Sequence, residues 1–178
     1  IRDGKTVVAR NGHKEFIDLE VNGKNGPGDD IKFKNKSTVD VQVKWTTIEP
    51  LSGSLELVHN GKVIAKLNGT SKPGAPIILK ASLPISKSSW LCARRMDDNG
   101  HQTHTAPVFV TVNNKPVRTN AQDALYFVEW IDNLIEKTSP GQEWNQYFTQ
   151  DLDVVQGRYR QAKNLYLKIA KEANENKP

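Results

Sequence analysis

The sequence predicts a mostly β protein with C-terminal α: an immunoglobulin-like antiparallel β-sandwich with two C-terminal helices packed on it. Three observations predict it. Between residues 15 and 114, short runs alternate apolar and polar side chains and are separated by frequent turn signals. Asn60-Gly61 joins two such runs, 55–59 and 62–67, and both residues tolerate the positive φ of a tight hairpin turn. Beyond Asn120 the apolar period lengthens to that of a helix, first over 120–137 and again over about 151–174. The chain therefore reads as a lead-in (1–14), a sandwich (15–114) and a helical extension (115–178).

The elements follow in order. The lead-in is polar, punctuated by Gly4 and Gly12, with a short strand at 6–9. Residues 16–21 alternate as a strand, Asn22-Gly23 turns the chain, and 26–29 (GPGD) is a loop before a brief extended piece at 31–34. Val39, Val41, Val43 and Trp45 share one face of the next strand, so Trp45 is a core candidate. After the hairpin comes a second turn region at 68–74. Ile77, Leu79, Ala81 and Leu83 then alternate, 88–95 carries Trp90 and Cys92, Asp97 to Gly100 closes another hairpin, and 106–112 is the last strand. That makes seven or eight strands, the count of a two-layer sandwich.

The helix at 120–137 is the clearest in the chain. Ala124, Leu125, Phe127, Val128, Ile131, Leu134 and Ile135 draw an apolar stripe, widened by Trp130, that must be buried against the preceding sandwich. Asn120 is placed to cap its N-terminus, with Asp123 three residues on, and Ser139-Pro140-Gly141 ends it. In the second helix Val155, Tyr159, Ala162, Tyr166, Ile169 and Ala173 repeat, with Gly157 weakening the first turns. Trp144, Tyr147 and Phe148 form an aromatic loop expected to plug a junction between elements.

Bulk properties narrow the classes of function. A chain of 178 residues suits one core with an appendage. Its hydrophobic content of 37% and mean hydropathy of -0.61 describe a soluble protein, and no apolar run is long enough to cross a bilayer. The start, IRDGKTVV, has neither a signal peptide nor an initiator Met, which predicts a fragment or a processed product. Net charge is +5, with 16 basic and 11 acidic residues over 1–114 and 9 of each over 115–178. The excess is scattered as lysines along alternating strands, where it serves solvated faces and sheet edges. Nucleic-acid binding would need a concentrated basic patch with stacking aromatics. The single Cys92 excludes an internal disulfide and, within WLCAR, reads as a buried inert thiol.

No complete catalytic or metal motif is present. There is no G-x-S-x-G, no phosphate loop, and the calcium-like run at 97–100 lacks its later glutamate. The weak metal candidates are His101, His104 and Asp97: an H-x-x-H pair beside Asp97 and Asp98. A zinc site needs three or four convergent ligands, and residues three apart on a regular strand face opposite sides. The pair therefore reads as loop and strand-start histidines unless a bulge intervenes. No catalytic residue and no cofactor is assigned. Sandwiches also bind sugars through exposed aromatics; Trp45, Trp90 and Trp130 lie in core-like patterns, which leaves Trp144, with Tyr147, as the ledge of an alternative carbohydrate- or surface-binding module of an exported protein. Asn35-Lys36-Ser37 and Asn68-Gly69-Thr70 match glycosylation sequons.

Several segments, in order, resemble the C-terminal accessory region of CehA/McbA-type metallohydrolases of the PHP (polymerase and histidinol phosphatase) superfamily. They are DGKTVVARNG (3–12), LEVNGKNGPGD (19–29), LELVHNGKVIA (55–65), SSWLCARR (88–95), HTAPVFVTVNNKPV (104–117), DALYFVEWIDNLI (123–135) and RYRQAKNLYLKI (158–169). The resemblance covers most of the chain. It implies a bacterial, exported (periplasmic or extracellular) protein whose activity lies in an upstream PHP domain, where histidines and acids bind divalent metals to hydrolyse esters or phosphoesters. The H-x-H and D-x-H ligand motifs of that domain are absent here, so the resemblance implies a non-catalytic accessory domain that buttresses the catalytic domain or mediates interactions, including homo-oligomerisation.

Overall fold

Ten strands, two α-helices and two single-turn 3-10 helices make up the computed structural model, which describes residues 2–10, 12–148 and 150–175. The strands are β1 (Val7–Ala9), β2 (Glu15–Val21), β3 (Asp30–Phe33), β4 (Ser37–Thr47), β5 (Leu51–His59), β6 (Lys62–Ser71), β7 (Ile77–Ile85), β8 (Ser89–Asp97), β9 (Gly100–Thr105) and β10 (Val108–Val112). The helices are α1 (Ala121–Thr138) and α2 (Leu152–Glu175). The chain divides into two units, Ile1–Val117 and Arg118–Pro178.

In the first unit, alternation becomes layering. One sheet has the order β2-β4-β7, both pairs antiparallel. In the other, β8 is central: β5, with β6 beyond it, pairs along one edge, and β9 and β10 share the other. This is the immunoglobulin-like arrangement, in which strands A, B and E face C, F and G. Pro107 explains why the last strand is broken into β9 and β10: it has no N–H to give to a ladder. Ile17, Leu19, Val43 and Trp45 from the first sheet meet Leu55, Leu57, Leu91 and Val110 from the second in one buried cluster. The hairpin at Asn60-Gly61 forms as expected, with φ of 50° and 83°.

Besides the number of strands, ten where seven or eight were expected, three details depart from the sequence reading. The second sheet is not wholly antiparallel, because β3 runs parallel to β10. The loop at 26–29 carries the chain across to the second sheet, so β3 arrives beside β10 pointing the same way. Gly28 makes that crossing feasible: its φ is +88°, its N–H donates to Pro107 O at 2.8 Å, and a Cβ there would collide with the Asp3 carbonyl. The turn expected at 68–74 starts later, since β6 continues to Ser71. Finally, Trp90 is only half-buried and stands outside the core cluster, opposite the exposed Phe109.

In the second unit, α1 and α2 pair. Asn120 caps α1 as expected, its Oδ1 accepting from Gln122 N–H at 3.0 Å and its Nδ2 donating to Asp123 at 2.9 Å. Ala121 and Ala124 pack against Ala170 and Ala173, so the start of α1 meets the end of α2. Gln156 clasps the opposite end, donating to Ile135 O at 3.3 Å and Ser139 Oγ at 3.2 Å. Gly157 does not interrupt α2.

The apolar stripe of α1 is narrower than its sequence suggests. Val128 and Ile131 are buried, but Phe127 is 46% and Trp130 53% exposed. Small side chains let the two helices approach closely, and the large aromatics are left on the flank. Trp130→Ala should therefore cost under about 1 kcal/mol in urea unfolding, the range of surface changes, and not the 3–5 kcal/mol of a core tryptophan. A loss above about 2 kcal/mol would show that its side chain is covered in solution. The aromatic loop does not act as a plug throughout: Trp144 and Phe148 are half-buried, while Tyr147 is 73% exposed.

Candidate functional site

The histidine pair comes together after all. β8 and β9 lose register between Arg95 and Met96: Arg95 faces Thr103, but Met96 faces His101. One extra residue is thereby accommodated in β9, and Gln102 and Thr103 are buried in succession. His101 and His104, on either side of them, emerge on the same outer face. His104 Nδ1 lies 3.0 Å from His101 Nε2, and the rings are 4.8 Å apart. Partial burial, then the neighbouring His104, Arg94 and Arg10, hold the His101 imidazole below its usual pKa, so it favours the neutral form.

Asp97 does not join them. Its Oδ2 accepts from Arg95 Nη1 at 2.9 Å, and its Oδ1 accepts from Asn99 N–H at 2.8 Å and Gln102 Nε2 at 2.9 Å. Burial alone would raise this carboxyl, but those donors together draw it below the usual carboxylate range. The sequence places Asp97 beside the histidines along the chain; in space a guanidinium two residues away claims it. Among the described residues no group of three His, Cys, Asp or Glu converges as a metal cage.

The most tightly built polar cluster was missed in the sequence. Glu15, at the start of β2, and Arg95, in β8, meet between the two sheets. Arg95 Nη2 donates to Glu15 Oε1 at 2.8 Å and its Nε faces Oε2 at 2.5 Å, with both side chains essentially excluded from solvent. Trp45 Nε1 donates to Oε2 at 3.0 Å, and the guanidinium carbon sits 5.2 Å from the centre of the Trp45 ring. Arg95 Nη1 also reaches Ser52 O at 3.2 Å. The one local signal was an arginine at an inward position of an alternating strand, Leu91-x-Ala93-x-Arg95; its partner lies 80 residues earlier.

Other candidates resolve singly. Burial pushes the Cys92 thiol up, only partly offset by Arg94, which makes it a poor nucleophile at neutral pH. His59 is held in its neutral form by burial. A shallow groove of about 440 Å³ crosses the outer face of the three-stranded sheet, between Glu20, Asp40, Gln42, Lys80 and Ser82.

No protein-family model matches this sequence, and none of the curated proteins does. Among solved structures, the chain is similar to the CARDB domain of PF1109 from Pyrococcus furiosus in its solution NMR structure. Identity there is 16%, over 58% of this chain and 99% of that one, with a TM-score of 0.37. The crystal structure of the same domain in complex with di-metal ions matches at 15% identity over 56% and 96%, with a TM-score of 0.35. A lytic polysaccharide monooxygenase of Jonesia denitrificans matches at 21% identity over 51% and 61%, with a TM-score of 0.30. At such scores these likenesses bear on neither ligand nor activity.

Proposed function

We propose that this chain is a non-catalytic accessory module, and specifically the C-terminal accessory domain of a PHP-type metal-dependent hydrolase exported by a bacterium. One observation carries the non-catalytic part. The charges that the first unit buries most deeply, Glu15 and Arg95, are spent on each other and on Trp45 as a brace between sheets. A reactive group must face substrate, and these two charged groups face each other inside the sandwich, away from solvent. The hydrolase parent rests on the ordered segments that resemble the CehA/McbA accessory region. The module's work is then mechanical: a rigid sandwich and a helical pair that support the catalytic domain or mediate contacts.

The test is twofold. The purified chain, assayed with nitrophenyl esters and phosphoesters in Mn²⁺ or Zn²⁺, should show no turnover above buffer. The gene upstream of Ile1 should encode a PHP domain with its metal-ligand histidines. Turnover abolished by a substitution within this chain would overturn the first statement; an upstream frame encoding another domain class, or none, would overturn the second.

A second reading, a carbohydrate- or surface-binding module, is favoured by one feature of α1. Tyr126 and Trp130 are 56% and 53% exposed and joined by an indole-to-hydroxyl bond of 3.0 Å, a preformed aromatic ledge. The ledge expected at Trp144 and Tyr147 is weaker, because Trp144 is half-buried with the Lys137 ammonium 5.0 Å from its ring centre. In a glycan screen followed by tryptophan fluorescence, this reading requires a ligand whose binding disappears in Trp130→Ala and persists in Trp144→Ala.

A further inference from the structure

We propose that His101 and His104 form a two-histidine binding site for a divalent transition-metal ion of the Ni²⁺, Cu²⁺ or Zn²⁺ class on the outer face of β9. The inference goes beyond the accessory role and does not depend on it.

The nitrogen spacing suits a chelate once the two rings pivot from pointing at each other to pointing at a shared ion. Two imidazole nitrogens 3.0 Å apart, each about 2.05 Å from a shared ion, subtend an angle of about 94° at the metal. That is close to the right angle between neighbouring ligands in tetragonal Ni²⁺ or Cu²⁺ sites. A tetrahedral Zn²⁺ site would need the nitrogens about 3.3 Å apart, a small opening of two side chains that solvent reaches. The backbone that carries the rings is anchored from behind. Gln102 and Thr103 between them are buried, and His104 is paired with both Arg94 of β8 and Val8 of β1. The bulge thus puts both side chains on one face without help from a ligand.

The proton balance is simple. Without metal, one imidazole donates an N–H to the other across the gap. On binding, that ring takes its other neutral tautomer, with the proton on its outward nitrogen, and both inner lone pairs face the ion. No net proton is released from neutral rings.

Flanking charges limit affinity. Arg94 and Arg10 repel a dication, although Glu56 offsets Arg94 through an Nε bond of 2.8 Å and pairs Lys66 at 3.3 Å. With two protein ligands the remaining positions are water, so the site is exchangeable and open to a ligand from another molecule.

The test uses the full chain without any affinity tag, titrated with Ni²⁺ and Zn²⁺ by calorimetry and by NMR of the histidine rings. Expected are one ion per chain, shifts confined to the His101 and His104 ring signals, and affinity lowered about tenfold or more by either H101Q or H104Q, each still folded by circular dichroism. H13Q should bind as the native chain does. Absence of saturable binding at millimolar metal, binding that survives H101Q, or binding lost in H13Q would each overturn the site.

Discussion

Arg95→Met is expected to destabilise the sandwich by about 3–5 kcal/mol in urea unfolding. The side chain is 1% exposed and the facing Glu15 side chain 0%. Removing the guanidinium strands a carboxyl between two sheets and takes one donor each from the Ser52 carbonyl and the Asp97 carboxylate. The loss is large because water cannot enter to replace the partner, not because the pair itself is worth that much. The double variant Glu15→Met/Arg95→Met separates these two statements. Its cost should fall well below the sum of the single changes, since two apolar side chains of similar volume remove both the attraction and the desolvation penalty. Single changes costing under about 1 kcal/mol would mean that the pair is hydrated in solution, and the brace between the sheets would have to be abandoned.

Trp45→Ala should cost a similar amount, about 3–5 kcal/mol, for a different reason. Trp45 is the largest fully buried side chain of the first unit, and its removal leaves a cavity that backbone paired on both sides cannot collapse to fill. The change also deprives Glu15 Oε2 of the indole N–H and Arg95 of the ring against which it lies. Its effect should therefore be non-additive with that of Arg95→Met. Trp45→Phe keeps most of the volume and should cost clearly less than the alanine. Equilibrium unfolding followed by tryptophan emission reads both, because the most blue-shifted component of the four-tryptophan spectrum should vanish with Trp45. Strict additivity with Arg95→Met would argue that ring and guanidinium act independently.

Of the candidate site, the sequence revealed the residue types but not their juxtaposition. H-x-x-H is visible in any reading, and regular strand geometry argues that the pair diverges. One register shift reverses that conclusion, and such a shift depends on how β8 and β9 settle against each other. The same limit applies to Asp97, adjacent to the histidines along the chain and drawn away by Arg95. It applies again on α1, where helical periodicity identifies an apolar stripe without saying how much of it one neighbouring helix covers.

What the sequence by itself determined is everything carried by near neighbours. The valines of β4 alternate because successive strand side chains point to opposite faces. Asn60-Gly61 turns because both residues accept positive φ, and Asn120 caps α1 because its side chain is short enough to reach the second N–H of the helix. Only the tertiary structure decided which charged residues would be buried, that β3 would lie parallel to β10, and that two histidines would share one face. These depend on groups as much as 80 residues apart, and on the balance between desolvation and pairing once two sheets close. Local pattern specifies which face a side chain takes; the partner waiting on that face is supplied by a different stretch of chain, brought there by the packing of the core.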